Sequence, residues 1–249
     1  MNILICISHV PDTTTKIKFT DDGSALDKTG VSFVINPYDE FAITRALELR
    51  EQNIIPSDSQ IHILCVGGAE VDPTIRKALA VGGEKGVRIN LESPEDAHQV
   101  AAQIADYVGK NEYDMIMMGK ESIDNNGSEV PGMTAAMLDL PLISFCTSLD
   151  IKDGKAVMTR EIDGGSETIE VDGPFILSAQ KGLADWRIPN MRGIMQARRK
   201  PLDVVEPVDA QAKTKAVGYE LPPPKPETTY IEPDDLKQFV EALAKVGAI

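Results

Sequence analysis

Residues 115–134 read Met-Ile-Met-Met-Gly-Lys-Glu-Ser-Ile-Asp-Asn-Asn-Gly-Ser-Glu-Val-Pro-Gly-Met-Thr. Met115–Met118 has strand length and is apolar at every position, so neither of its faces meets water. Such a strand belongs inside a parallel sheet covered by helices on both sides. The stretch after Gly119 is small and polar, and it leads into a helix over about Pro131–Leu138. The connection is longer than the ~2–6 residues usual between strand and helix. That length argues for a functional role over an ordinary polar loop. Backbone N–H groups at a junction of this kind hold a phosphate without cationic side chains.

The same pattern extends outward. Short apolar runs recur at Ile3–Ile7, Ile61–Val66, Gly86–Ile89 and Phe175–Ala179. Between them, Asn36-Pro37, Asp72-Pro73 and Ser93-Pro94 each set a capping residue before a proline. Proline at the first helical position gives up a donor that has no intrahelical partner anyway. The expected helices run over about Pro37–Glu51, Pro73–Val81 and Pro94–Gly109. Asp39 falls in the first turn, where a carboxylate favours the positive helix end. Alternating strands and capped helices predict an α/β fold with an open, mostly parallel, Rossmann-like sheet. Two hairpin insertions interrupt it. Lys16–Phe19 and Val31–Ile35 flank Thr20-Asp21-Asp22-Gly23. Ser148–Ile151, Lys155–Ile162 and Glu167–Val171 are joined by Asp-Gly turns. These strands are expected at an edge of the sheet or beyond it.

Ligands in such sheets sit outside the carboxyl ends of the strands. Three loops meet that description: Ile7–Asp12, Cys65–Ala69 and Gly119–Gly132. No G-x-x-x-x-G-K-[ST] loop, no G-x-G-x-x-G after a strand and no G-x-S-x-G elbow is present. The three histidines lack metal-ligand spacing. The missing Lys/Ser phosphate motif argues against an ATP-cleaving ligase.

The 249 residues carry 25 Lys+Arg against 39 Asp+Glu, a net charge of −14. That balance excludes bulk nucleic-acid binding, which needs a basic surface. Cys6, Cys65 and Cys146 are few and far apart, so a disulfide framework is not expected and a reducing compartment is. No apolar run is long enough to span a bilayer, and the start lacks signal-peptide character. A cytoplasmic, bacterial location is the expectation.

One segment runs against the overall charge. Residues 187–200 hold five basic residues and no acid, interleaved with Met191, Ile194 and Met195. Composition leaves it as either a solvated face or a contact surface. After about Lys200, prolines punctuate a stretch with few apolar runs, which reads as an extended arm. The arm ends in an expected helix over Asp234–Val246 with Leu236, Phe239, Val240, Leu243 and Val246 on one stripe. The helix packs either on its own domain or on a partner. The expected division is an α/β domain over 1–200, with the basic loop at about 183–200, and an arm over 201–249.

Several motifs resemble the electron transfer flavoprotein β subunit. They are Asn36-Pro37-Tyr38-Asp39-Glu40, Thr74–Gly82, Gly119-Lys120-Glu121-Ser122-Ile123-Asp124, Arg160–Thr168 followed by Pro174–Leu177, and the basic segment. They run in family order and cover nearly the whole chain. The resemblance implies a heterodimer with an α subunit that holds the redox FAD. It implies electrons arriving from dehydrogenases, typically acyl-CoA dehydrogenases, and leaving to the electron transfer flavoprotein-quinone oxidoreductase. It implies no independent catalytic activity and a structural AMP in the β subunit. The AMP contacts carry over to Cys6, to Asn36, Pro37, Tyr38 and Asp39, and to Cys65. In the long loop they fall within Gly119, Ile123, Asp124, Asn125, Asn126, Gly127, Ser128, Glu129, Val130, Pro131, Gly132, Met133 and Thr134. Partner docking carries over to Met191, Arg187, Arg192 and Ile194, with Met191 where relatives often place Leu. Two features depart from the family. Ser128–Pro131 stands where many relatives carry Asn-Gln-Thr-Gly, and Thr13 stands where some carry an aromatic. The alternatives are an electron-bifurcating relative, with a second FAD in the AMP site and NADH as donor, and a free-standing adenine-nucleotide-binding regulator.

Overall fold

The computed structural model describes residues 1–249. In chain order its elements begin with β1 (Asn2–Cys6), β2 (His9–Pro11), β3 (Phe33–Ile35), α1 (Pro37–Glu51), β4 (Gln60–Val66), α2 (Asp72–Val81), β5 (Lys85–Ile89) and α3 (Ala97–Gly109). They continue with β6 (Met115–Gly119), α4 (Val130–Leu138), β7 (Leu142–Lys152), β8 (Lys155–Ile162), β9 (Gly165–Val171) and β10 (Phe175–Ala179). The last are α5 (Met191–Ala197), β11 (Leu202–Val205) and α6 (Leu236–Lys245).

Nine strands form one sheet in the order β11-β5-β4-β1-β6-β10-β7-β8-β9. Every pair from β11 across to β7 is parallel, and β8 and β9 extend it as an antiparallel edge. This is the expected Rossmann-like α/β architecture. The apolar runs are its central strands because each residue is buried whichever way it points. Ile3 and Ile5 face α1 and α2, while Leu4 and Cys6 face α3 and α4. All of β6 and all of β10 are buried. No helix is long and apolar enough to cross a membrane.

The expected caps are not the caps that form. Asn36 precedes α1, yet its side chain makes no capping bond and serves another loop. Asp72 lies inside α2 and its carboxylate pairs with Arg88 at 2.8 Å. Ser93 adopts a left-handed φ of 52°, and α3 starts only at Ala97. There Asp96, with extended backbone, accepts the Gln99 amide at 2.9 Å and is the better cap. The first hairpin also differs. His9–Pro11 pairs with Phe33–Ile35, whereas Lys16–Phe19 contributes only the single bridge Phe19–Leu26. The Asp-Gly turn at Asp153-Gly154 does form, with both residues at positive φ, as a tight hairpin requires.

The segment after Lys200 contributes more than an extended chain. Leu202–Val205 adds a parallel edge strand beside β5. Gln103, itself buried, then donates to Val208 O and accepts from Val208 N, both at 2.8 Å, much as a neighbouring strand would.

The chain forms two compact units. One comprises Met1–Ile17 and Asp27–Val217 and holds the sheets and α1 to α5. The other comprises Lys18–Leu26 and Gly218–Ile249. In it Phe19 stacks on Tyr219 at 5.3 Å between centroids, and the Tyr219 amide donates to Gly23 O at 2.8 Å. Its helix α6 is capped by Asp235, and Leu236, Phe239, Val240 and Val246 are exposed along it.

Candidate functional site

The amino end of α1 ties together two strand-end loops. Asp39 is buried, and its two carboxylate oxygens accept different backbone amides. Oδ2 takes Ser8 N at 2.7 Å, just past β1, and Oδ1 takes Gly119 N at 2.6 Å, at the end of β6. Asn36, also buried, donates from Nδ2 to Glu121 O at 2.9 Å and accepts Ile123 N on Oδ1 at 3.2 Å. The Asn36 amide itself donates to Ser8 O. Pro37 supplies the first helical residue between these two side chains. Burial pushes the Asp39 carboxyl up to about 7, against the pull of the Ser8 and Gly119 amides.

Beyond Ile123 the loop presents backbone. The Asn126 amide donates to Ser122 O, and Ser128 Oγ donates to Glu121 at 3.1 Å. Asn126 and Ser128 take left-handed φ values of 53° and 54°. The N–H groups of Gly127, Ser128, Glu129 and Val130 donate to no protein acceptor. They lead into α4, whose first turn holds Pro131, Gly132 and Met133, and whose buried Thr134 bonds back to Val130 O. Free amides at a helix start fit an anionic phosphate.

Lys120 is the only cation of residues 119–134, and it is already engaged. Its Nζ pairs with Glu121 at 3.1 Å and lies 4.9 Å from the Tyr38 ring centre and 5.7 Å from that of Phe145. Any anion at this loop therefore depends on backbone amides and on neutral Ser and Asn side chains. The second loop offers less, because the Gly68 amide faces the Glu70 carboxylate at 3.3 Å. Cys6 and Cys65 are buried on opposite faces of the sheet, and burial pushes both thiols up. In the first loop His9 stacks flat on Phe33 at 4.4 Å and its Nδ1 meets Thr74 Oγ1 at 2.7 Å. Burial holds its imidazole below the usual range.

Of the residues expected to dock a partner, Arg187 lies at the other end of α1. Arg187 pairs with Glu51 at 2.8 Å and reaches Glu48 at 3.7 Å, both in the last turns of that helix. With 15 residues at ~1.5 Å each, α1 sets about 20 Å between its two ends. Met191, Arg192 and Ile194 sit on α5, which Asn190 caps through the Gly193 amide. α5 lies against α2 so closely that a Cβ on Gly193 would collide with Ala80 O. Arg76 holds its far end through Ala197 O at 2.8 Å. Met191 is 73% exposed, and Trp186, Ile188 and Met195 extend the apolar surface.

Two contributors escape a reading by motif. Glu48 and Glu51 are ordinary helix-surface charges in sequence, and nothing local marks them as anchors of a distant segment.

The fold defines the class first: a Rossmann-like α/β protein whose candidate ligand loops lie where such sheets place them. The electron transfer flavoprotein domain model matches residues 24–210. The electron transfer flavoprotein subunit beta of Syntrophomonas wolfei is 33% identical over 232 residues, covering 93% of this chain and 90% of that protein. The Bacillus subtilis subunit beta is 31% identical over 98% of this chain and 96% of its own length. The Homo sapiens subunit beta is 28% identical over 100% of this chain and 99% of its own. The chain belongs to the electron transfer flavoprotein β-subunit family, and so to the flavoproteins of electron transport.

Proposed function

We propose that this chain is the β half of a heterodimeric electron transfer flavoprotein with a structural AMP at the carboxyl ends of β1, β4 and β6. The observation that carries this reading is the row of free amides at Gly127–Val130, held in place by the Asn36 and Asp39 bonds to the same loop. The phosphate meets those amides. The pocket wall is built from Cys6, Asn36–Asp39, Cys65 and the loop from Gly119 to Thr134.

The redox FAD belongs to the α subunit. Flavin chemistry is the cofactor's, and this chain positions and shields it without catalysing a reaction of its own. Electrons enter from acyl-CoA or related dehydrogenases and leave to the electron transfer flavoprotein-quinone oxidoreductase. Met191, Arg187, Arg192 and Ile194 form the docking surface for the donors. The exposed apolar residues there support that role, since methionine adapts to varied partners. The arm over 201–249 packs on the α subunit through α6. The working location is the bacterial cytoplasm.

Co-expression with an α-subunit partner, followed by counting AMP and FAD released from the dimer, tests the reading. One AMP and one FAD per dimer is the expected result. Two FAD and no AMP would replace it with the electron-bifurcating type. A stable homodimer without flavin would replace it with a nucleotide-binding regulator.

A further inference from the structure

We infer that Asn36 and Asp39 act on the nucleotide as positioning residues, fixing the loops after β1 and β6, rather than as side-chain ligands. The inference rests on the nucleotide reading above and concerns how the pocket keeps its shape. The polar atoms of both side chains are spent on the protein. The two Asp39 oxygens hold Ser8 N and Gly119 N at 2.7 and 2.6 Å, and the Asn36 amide holds Glu121 O and Ile123 N at 2.9 and 3.2 Å. Asp39 joins the segments after β1 and β6, and Asn36 joins the start of α1 to the loop after β6. Both are almost fully buried, at 2% and 1% exposure, so each broken bond leaves a backbone group without a partner. Gly119 confirms how close the clasp is drawn. A Cβ there would fall 2.5 Å from Asp39 Oδ1, 2.7 Å from Tyr38 Cβ and 2.8 Å from Asn36 Nδ2.

The loop held this way continues directly into the free amides at Gly127–Val130. Ile123 and Gly127 are four residues apart, so slack at Ile123 displaces the phosphate donors. A misplaced donor loses most of its hydrogen bond, because these bonds weaken steeply with angle.

The test uses the dimer with its co-expressed partner subunit, loaded with labelled AMP and chased with unlabelled AMP. The variants form a graded pair at each position. Asp39→Asn retains one acceptor and Asp39→Ala retains none. Asn36→Asp retains the acceptor for Ile123 N and loses the donor to Glu121 O, and Asn36→Ala loses both. AMP dissociation is expected to quicken about tenfold for one lost bond and about a hundredfold for two. Hydrogen exchange at the Ser8, Gly119 and Ile123 amides is read in the nucleotide-free dimer, where loss of a direct AMP contact would change nothing. Faster exchange there, graded like the dissociation rates, supports the inference. A variant on the far edge strand β9, Ile169→Val, is expected to leave both readouts at the wild-type value. If the alanine variants do not assemble, the near-isosteric replacements Asp39→Asn and Asn36→Asp decide alone. AMP-loaded wild type with unchanged dissociation in the variants overturns the positioning role only. Wild type that binds no AMP overturns the nucleotide reading, and this inference with it.

Discussion

The Gly119 amide donates to Asp39 Oδ1 at 2.6 Å, and the same oxygen would stand 2.5 Å from any Cβ at Gly119. The bond and the missing side chain are two sides of one constraint. Helix α1 starts so close to the end of β6 that only a glycine leaves room for it. The φ of Gly119 is not left-handed, so the requirement is space and not backbone freedom. Gly119→Ala is therefore expected to push Asn36, Tyr38 and Asp39 away together. Overpacking of this kind costs roughly 1–3 kcal/mol. A fall in the urea midpoint at constant slope, together with loss of bound nucleotide, is the expected result. A wild-type midpoint would mean that the helix start yields at no cost.

The buried Asp39 carboxyl also makes stability depend on pH. Its value is about 7 in the folded chain, against an ordinary 3.8. Burial is the cause, and the amides of Ser8 and Gly119 recover only part of the cost. A raised carboxyl binds its proton more tightly folded than unfolded. Its contribution is then complete below about pH 4 and is lost as pH rises through about 7. The full swing is about 4 kcal/mol by the usual conversion. Asp39→Asn has no proton to lose at this site. The stability difference between wild type and Asp39→Asn should therefore move against wild type from pH 4 to pH 7 and level off above it. Denaturation midpoints of both proteins across that range measure it. A difference that stays constant would place the carboxyl outside the titrating range.

Much of this architecture was legible because burial leaves a plain mark on sequence. Ile3–Ile7, Ile61–Val66, Met115–Met118 and Phe175–Ala179 are almost wholly apolar, and only a strand covered on both faces asks for that. The loop at 119–134 and the Asn36–Asp39 turn stood out in the sequence as candidate site segments, but their internal bonds did not. Asn36 before a proline has the form of a helix cap, and local rules cannot know that a loop 85 residues away takes its amide. The same competition moved the start of α3 from Pro94 to Ala97, since Asp96 caps that helix in preference to Ser93. A tertiary partner decided the first case, and a better local cap the second. The pairing of His9–Pro11 with Phe33–Ile35 was hidden for a related reason, because a three-residue strand is too short to show alternation.

Met191 supplies the cleanest separation of the two proposed sites. It is 73% exposed on α5, and the Arg187–Glu51 pair marks its segment at the end of α1 remote from Asn36. Truncation of an exposed side chain changes stability little, within about 0.5 kcal/mol. Met191→Ala is expected to keep nucleotide and flavin content and to lose electron transfer from the donor dehydrogenase. Arg187→Ala should show a milder form of the same defect, since surface ion pairs contribute only ~0–1 kcal/mol. Steady-state reduction by an acyl-CoA dehydrogenase reads both. Unimpaired reduction in Met191→Ala would remove the docking role from α5.

Asp96 fastens the chain after β11 to the start of α3, and this predicts a local release. Its Oδ1 accepts the Gln99 amide at 2.9 Å, and its Oδ2 accepts the amides of Lys213 and Thr214 at 2.5 and 2.8 Å. These bonds hold the carboxyl down at about 2, the Gln99 amide most of all. A depressed carboxyl stabilises above its ordinary 3.8 and loses that effect as pH falls toward 2. Asp96→Ala removes a helix cap, which costs ~0.5–2 kcal/mol, and frees two further amides. Gln99 and Gln103 still hold Ala210 and Val208, so the release should begin beyond those residues. Limited proteolysis is expected to cut Asp96→Ala near Lys213 and Lys215 many times faster than wild type, while the β11 strand at Leu202–Val205 remains protected. As pH falls toward 2 and below, the wild type should approach the variant in amide exchange at Lys213 and Thr214. Equal protease resistance at neutral pH would show that the glutamine bonds alone secure this stretch.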